Sequence, residues 1–229
     1  MPEDKKSLRA KALEVHRRLL QAYGEPQPRD RDPVDTLVSA IISQNTNDEL
    51  RDRAYRRLRD RFPTWEQVRD APAHAIAEAI RVAGLSRQKA PRIKQALQRI
   101  TEERGELSLD FLREMPVAEA RQWLTSLDGV GPKTAAIVLL FALGMPAFPV
   151  DTHVHRVSRR IGLIGNNTSR EKAHDDLESL LPEALYYPFH INLIRHGREV
   201  CSARNPKCEI CVVNDLCEYY SAARQHIPF

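Results

Sequence analysis

The sequence predicts an all-α fold arranged as two helical lobes. Three observations carry this. Apolar residues recur at helical spacing along the chain. No alternating apolar–polar run flanked by hairpin turns occurs, so no strand is predicted. The 15 prolines and 9 glycines fall mostly between the periodic segments, where they punctuate helices.

In chain order, residues 35–44 (DTLVSAIISQ) are apolar on nearly all sides, as in a buried central helix. Residues 48–61 place Leu50, Ala54 and Leu58 on one face, with arginines elsewhere. Short helices are predicted at 65–70 and 73–82. In 90–103, Ile93, Ala96, Leu97 and Ile100 stand at i, i+3, i+4 and i+7, and Pro91 suits a first turn. A helix over 117–126 leads to the uncharged run 134–143, a second buried helix with Pro132 in its first turn. Composition shifts at 144–149 (GMPAFP), which reads as a linker between lobes. Beyond it, helices are predicted at 152–162, 168–181, 186–200 and 212–223.

With 229 residues, 42% hydrophobic and 29% charged, the chain reads as an ordinary globular protein. No apolar run reaches the roughly 18–20 residues of a membrane span. The N-terminus, MPEDKKSLRA, is charged at once and lacks a signal-peptide core. A soluble, cytoplasmic protein without a membrane partner is expected. The net charge of +4 permits nucleic acid as a partner without demanding it. From Arg195 to Cys208, Arg195, Arg198, Arg204 and Lys207 face only Glu199, and this basic stretch suits a phosphate backbone or a plain solvated surface.

All four cysteines, Cys201, Cys208, Cys211 and Cys217, lie in a C-x6-C-x2-C-x5-C pattern. Four thiolates at such range suit one tetrahedral metal or an iron–sulfur cluster. Disulfides are the poorer reading for an intracellular chain. Spacing alone leaves zinc and iron–sulfur both open, although a zinc ribbon usually shows two C-x2-C knuckles and this chain has one. With all four positions filled by protein, no site is left for Lewis-acid chemistry. The expected role is to fold the loop and aim Arg204 and Lys207; redox sensing is the other reading.

Residues 127–135 read LDGVGPKTA, a glycine turn followed by a lysine that opens an apolar helix. Residues 82–90, VAGLSRQKA, repeat the plan roughly. Backbone N–H groups around Gly129 and Gly131, with the helix N-terminus and Thr134, suit an anion such as a DNA phosphate. A helix N-terminus disfavours a cation by roughly 0.3–1 kcal/mol, so Lys133 breaks a local rule. Broken rules mark functional sites. As a nucleophile Lys133 needs its neutral amine, which the helix end and partial burial favour. Asp151, in PVDTHVHRV, reads as an N-cap whose second oxygen is free for chemistry. His153 and His155 read as structural.

These motifs in this order, LDGVGPKTA, VDTHVHRV and the cysteine pattern, resemble the endonuclease III family of DNA glycosylases over residues 33–218. The resemblance implies a six-helix barrel lobe over 34–146 with a helix–hairpin–helix at about 120–143. It also implies a cluster lobe of residues 1–33 and 147–229 with a [4Fe–4S] cluster on 201–217, and a DNA-binding cleft between the lobes. The implied activity is bifunctional: removal of oxidised pyrimidines from duplex DNA and nicking of the abasic strand, by a monomer associated with the nucleoid. Lys133 would attack C1′ and form a Schiff base, and Asp151 would assist base departure and lysine activation. Leu85 matches an apolar wedge that enters the opened duplex. The segment SQNTND (43–48) matches a gap-filling loop, in which either Gln44 or Asn45 takes the vacated space. An adenine glycosylase of the same superfamily would carry an acid in 38–44, where this chain has none. A thymine or uracil mismatch glycosylase, a non-catalytic helix–hairpin–helix DNA-binding protein and a zinc-bound structural module are the remaining alternatives.

Overall fold

The computed structural model describes residues 3–225. Among them are α-helices and short 3-10 turns, with no strand, and no helix is long and apolar enough to cross a membrane. The chain divides into two compact units, a central one of residues 29–145 and one built from both chain ends, up to Pro28 and from Pro146 onward. The first helix, α1 (Glu3–Tyr23), belongs to the unit of chain ends. The central unit holds α2 (Pro33–Ile42), α3 (Asp48–Arg61), α4 (Trp65–Asp70), α5 (Ala73–Ala79), α6 (Ser86–Arg104), α7 (Val117–Thr125) and α8 (Pro132–Phe141). The chain then returns with α9 (Thr152–Ile161), α10 (Arg170–Leu180), α11 (Tyr186–Glu199) and α12 (Glu218–Arg224).

In the central unit the two apolar helices, α2 and α8, pack on each other. Leu37, Val38, Ile41 and Ile42 of α2 and Ala135, Ala136, Val138 and Leu139 of α8 have no exposed surface. Helices α4 and α5 pack on α6. Side chains of Asp32, Asn47 and Thr64 cap the starts of α2, α3 and α4 by accepting backbone N–H bonds.

Three boundaries depart from the sequence reading. Helix α6 begins at Ser86, so Pro91 lies in its second turn rather than its first. The N–H that proline lacks would have gone to the carbonyl of Arg87, an exposed residue that water can reach, which makes the proline tolerable. The segment 73–82 ends as a helix at Ala79 and tightens into a 3-10 turn, Arg81–Ala83, before Gly84 at φ 68°. The segment 212–223 forms one 3-10 turn, Asn214–Leu216, before α12 begins at Glu218.

In the unit of chain ends, α11 packs against α9 and α1. The sequence reading places no helix over 3–23; α1 forms there because Ala12, Val15 and Leu19 make a narrow buried stripe in a charged segment. A Cβ on Gly197 of α11 would stand 3.0 Å from the His153 Cβ, so glycine permits the close approach of α11 to α9.

Candidate functional site

The glycine turn before α8 has two glycines with different duties. Gly129 has φ 75°, and a Cβ there would strike the Arg92 side chain, so both backbone and packing require glycine. Gly131 is the N-cap of α8 in extended conformation (φ −90°), and a Cβ there would meet nothing. What its missing side chain does is leave α8 without a cap. Ala135 donates to the Gly131 carbonyl, so the N–H groups of Lys133 and Thr134 have no acceptor within the helix. An apolar helix with an open, uncapped N-terminus is suited to an anion.

Lys133 is exposed and makes no hydrogen bond or ion pair with the described residues. The partial burial expected for it is therefore absent: the side chain leaves α8 on its open side while the next residues turn inward. Thr134 is one of these, at 6% exposure, so its side chain is withdrawn from any ligand and only its backbone N–H faces the turn. The lysine of the matching segment has the opposite fate. Lys89 is 1% exposed, and its Nζ donates to the carbonyls of Ile42 (2.8 Å) and Ala83 (3.0 Å). Burial holds its pKa below the usual lysine value. The repeat in the sequence marked both lysines, but only packing distinguishes them.

Two loops of the same unit carry the other predicted contacts. Gln44 donates from Nε2 to the Gly129 carbonyl at 2.8 Å, joining its loop to the glycine turn. Asn45 is exposed with φ 52° and has no side-chain hydrogen bond to the described residues. Leu85 has φ 51° and is 47% exposed. Asparagine tolerates that backbone, but for leucine it costs roughly 1–2 kcal/mol. A leucine that is both strained and exposed gains nothing from burial, which points to function. Asn45, Leu85 and Asn205 are the only non-glycine residues at positive φ among those described, and all three lie in predicted contact loops.

In the other unit, the approach to Asp151 is pinned. Phe148 N–H donates to Glu178 Oε1, His174 Nδ1 donates to the Phe148 carbonyl, and His190 Nδ1 to the Pro149 carbonyl, each at 2.8 Å. Asp151 then caps α9, its Oδ1 accepting from Val154 N–H at 2.7 Å. Its other oxygen accepts no hydrogen bond from the described residues. His155 Nε2 bonds the Thr168 carbonyl at 2.8 Å, and Arg156 lies 3.1 Å from His153 Nδ1. The sequence reading missed His174 and His190, whose carbonyl partners lie 26 and 41 residues away in the chain, outside any local pattern.

Cys201, Cys208, Cys211 and Cys217 line one cavity with Arg160 and His196. Arg160, 8% exposed, donates to Cys201 Sγ at 3.4 Å and to the carbonyls of Ser202 and Ala203. His196 Nε2 lies 3.4 Å from Cys211 Sγ. Among the described residues no group of three or more metal-binding side chains is gathered as a ligand set for a single ion. Four thiols lining one cavity are soft donors of the kind that an iron–sulfur centre takes. The buried arginine supplies positive charge where thiolates would accumulate negative charge. Arg204 and Lys207 are exposed on the loop between the first two cysteines.

Residues 38–183 match the family model of the HhH-GPD superfamily of base excision DNA repair proteins, and residues 201–217 match the iron–sulfur binding domain of endonuclease III. The chain is 36% identical over 192 residues to an endonuclease III of Thermotoga maritima, covering 84% of this chain and 85% of that one. It resembles a trapped endonuclease III–DNA covalent intermediate, with TM-score 0.80 and 27% identity over 96% of this chain and 98% of the other. It also resembles a thermostable thymine-DNA glycosylase, with TM-score 0.77 and 25% identity over 93% and 97%.

Proposed function

The chain belongs to the endonuclease III family of base excision DNA repair proteins, and on that premise we propose that it is a DNA glycosylase and abasic-site lyase acting as a monomer on duplex DNA with damaged bases or abasic sites. The observation that carries the reading is Lys133, an exposed, unpaired amine on the open first turn of an apolar helix. The substrate class is oxidised pyrimidines.

The damaged nucleotide leaves the stack. The Lys133 amine attacks C1′, and the bond from C1′ to the base breaks with its electron pair going to the base. The bound amine gives up one proton, and the C1′–O4′ bond breaks with its electron pair and a proton going to O4′, leaving a protonated Schiff base. Loss of a C2′ proton then expels the 3′ phosphate and nicks the strand. Because the protein does not bury Lys133, desolvation of the amine falls to the bound DNA. Asp151, with one oxygen fixed as a cap, has the other for stabilising positive charge on the sugar and for moving protons. Gly129, Gly131 and the N–H of Thr134 bind a phosphate, and Arg204 and Lys207 add charge to the DNA surface.

The four cysteines hold a [4Fe–4S] cluster, which supplies a rigid fold for the loop that presents Arg204 and Lys207. Their chemistry fits: four soft ligands around one cavity, with Arg160 on Cys201.

Borohydride trapping on abasic duplex DNA tests the reading. A covalent adduct is expected with the intact protein and none with Lys133→Ala; no adduct with the intact protein overturns the lyase. Parallel duplexes with thymine glycol, dihydrouracil, uracil and mismatched thymine separate oxidised-pyrimidine from mismatch specificity.

A further inference from the structure

Lys89 is a buried cation with no carboxylate bonded to it among the described residues. Its two acceptors are the last carbonyls of two different elements. Ile42 ends α2 and Ala83 ends the 3-10 turn Arg81–Ala83. Carbonyls at helix C-termini lack intrahelical donors and carry partial negative charge, so an ammonium satisfies both needs. Other basic residues of this unit cap single helix ends from less buried positions: Lys94 bonds the Ala71 carbonyl after α4, and Arg113 bonds the carbonyls of Ala142 and Leu143 after α8. Lys89 differs in being buried and in joining two ends with one group.

Each of those two ends leads directly into a predicted contact loop. Gln44 stands two residues past Ile42, and Leu85 two residues past Ala83. Lys89 also donates its backbone N–H to the Leu85 carbonyl at 3.0 Å, holding the strained residue from the other side. Gln44 in turn reaches the Gly129 carbonyl. Three loops are thus connected through two side chains, and the ammonium is the part with no substitute. Burying a charge is costly, and that cost is offset only in part by the two carbonyls that accept from the ammonium. The cation is explained if the two carbonyls must be held at a fixed separation.

We propose that Lys89 is a positioning residue for base extrusion, fixing the Gln44–Asn45 loop and the Leu85 loop as one rigid piece so that wedge and gap-filling side chains enter the duplex together. The proposal rests on the glycosylase reading. Opening a paired site demands both loops in register; a lesion that is already unpaired does not.

The test is Lys89→Met, which keeps the length and apolar stem and removes the donors. Single-turnover excision is measured on thymine glycol paired with adenine and on the same lesion in a one-nucleotide bulge, with 2-aminopurine beside the lesion to report unstacking. The paired substrate should slow about ten- to a hundredfold with loss of the fluorescence rise, and the bulged one by no more than about twofold. Lys89→Arg should restore most of the paired rate. Equal slowing on both substrates, or no slowing on either, overturns the proposal. Should Lys89→Met fail to hold its fold, Lys89→Gln, which keeps a donor for one carbonyl, takes the same test with the same outcomes. A wild-type protein that excises thymine glycol from neither substrate condemns the glycosylase reading itself; wild-type excision with equal slowing in the variant condemns only the role of Lys89.

Discussion

At the scale of single residues, exposure and backbone conformation identify function more directly than residue type. Leu85 pairs an exposed apolar side chain with a left-handed backbone, a combination that stability does not select. Leu85→Gly is expected to raise stability by about 1 kcal/mol, because glycine adopts this φ without the leucine Cβ clash. Excision from paired DNA should fall in the same variant. Thermal melting and single-turnover rates check the two directions; lower stability would show that Leu85 serves packing. Lys133 and Lys89 make the complementary point. The sequence placed both after a glycine turn, yet one is exposed and the other has 1% exposure.

At the scale of elements, helix ends carry the chemistry. Asp32, Asn47, Thr64, Asp151 and Ser169 cap their helices by side-chain bonds, while α8 begins at Gly131 with none. Gly131→Asp fits sterically, since a Cβ there meets nothing. It should raise stability by about 0.3–1 kcal/mol through capping and the helix dipole. It should also weaken binding to undamaged duplex, because a carboxylate would occupy the anion site. Denaturant melts and a DNA titration at fixed salt read the two effects, and unchanged DNA affinity would remove the phosphate from this turn. Asp151 caps α9 through one oxygen that accepts from Val154, and its other oxygen accepts nothing from the described residues.

At the scale of the whole molecule, two units hold two kinds of site, the lysine and its three loops in one and the aspartate and cysteines in the other. The protein prepared without oxygen should be brown, absorb near roughly 400 nm and carry about four irons, as expected of a cysteine-ligated cluster. Stoichiometric zinc in a colourless preparation would overturn the cluster. The all-α class, both apolar helices, the cysteine framework and the candidates Lys133 and Asp151 were legible because each is a local pattern: periodicity, a cap signal or a spacing. The exposure of Lys133, the burial of Thr134 and Lys89, and the strain at Leu85 were not. They depend on which atoms from distant parts of the chain close over a side chain, as Ile42 and Ala83 do over Lys89. A sequence sets the range of what each segment can become, whereas only packing in three dimensions decides which of two similar lysines meets solvent and which meets carbonyls.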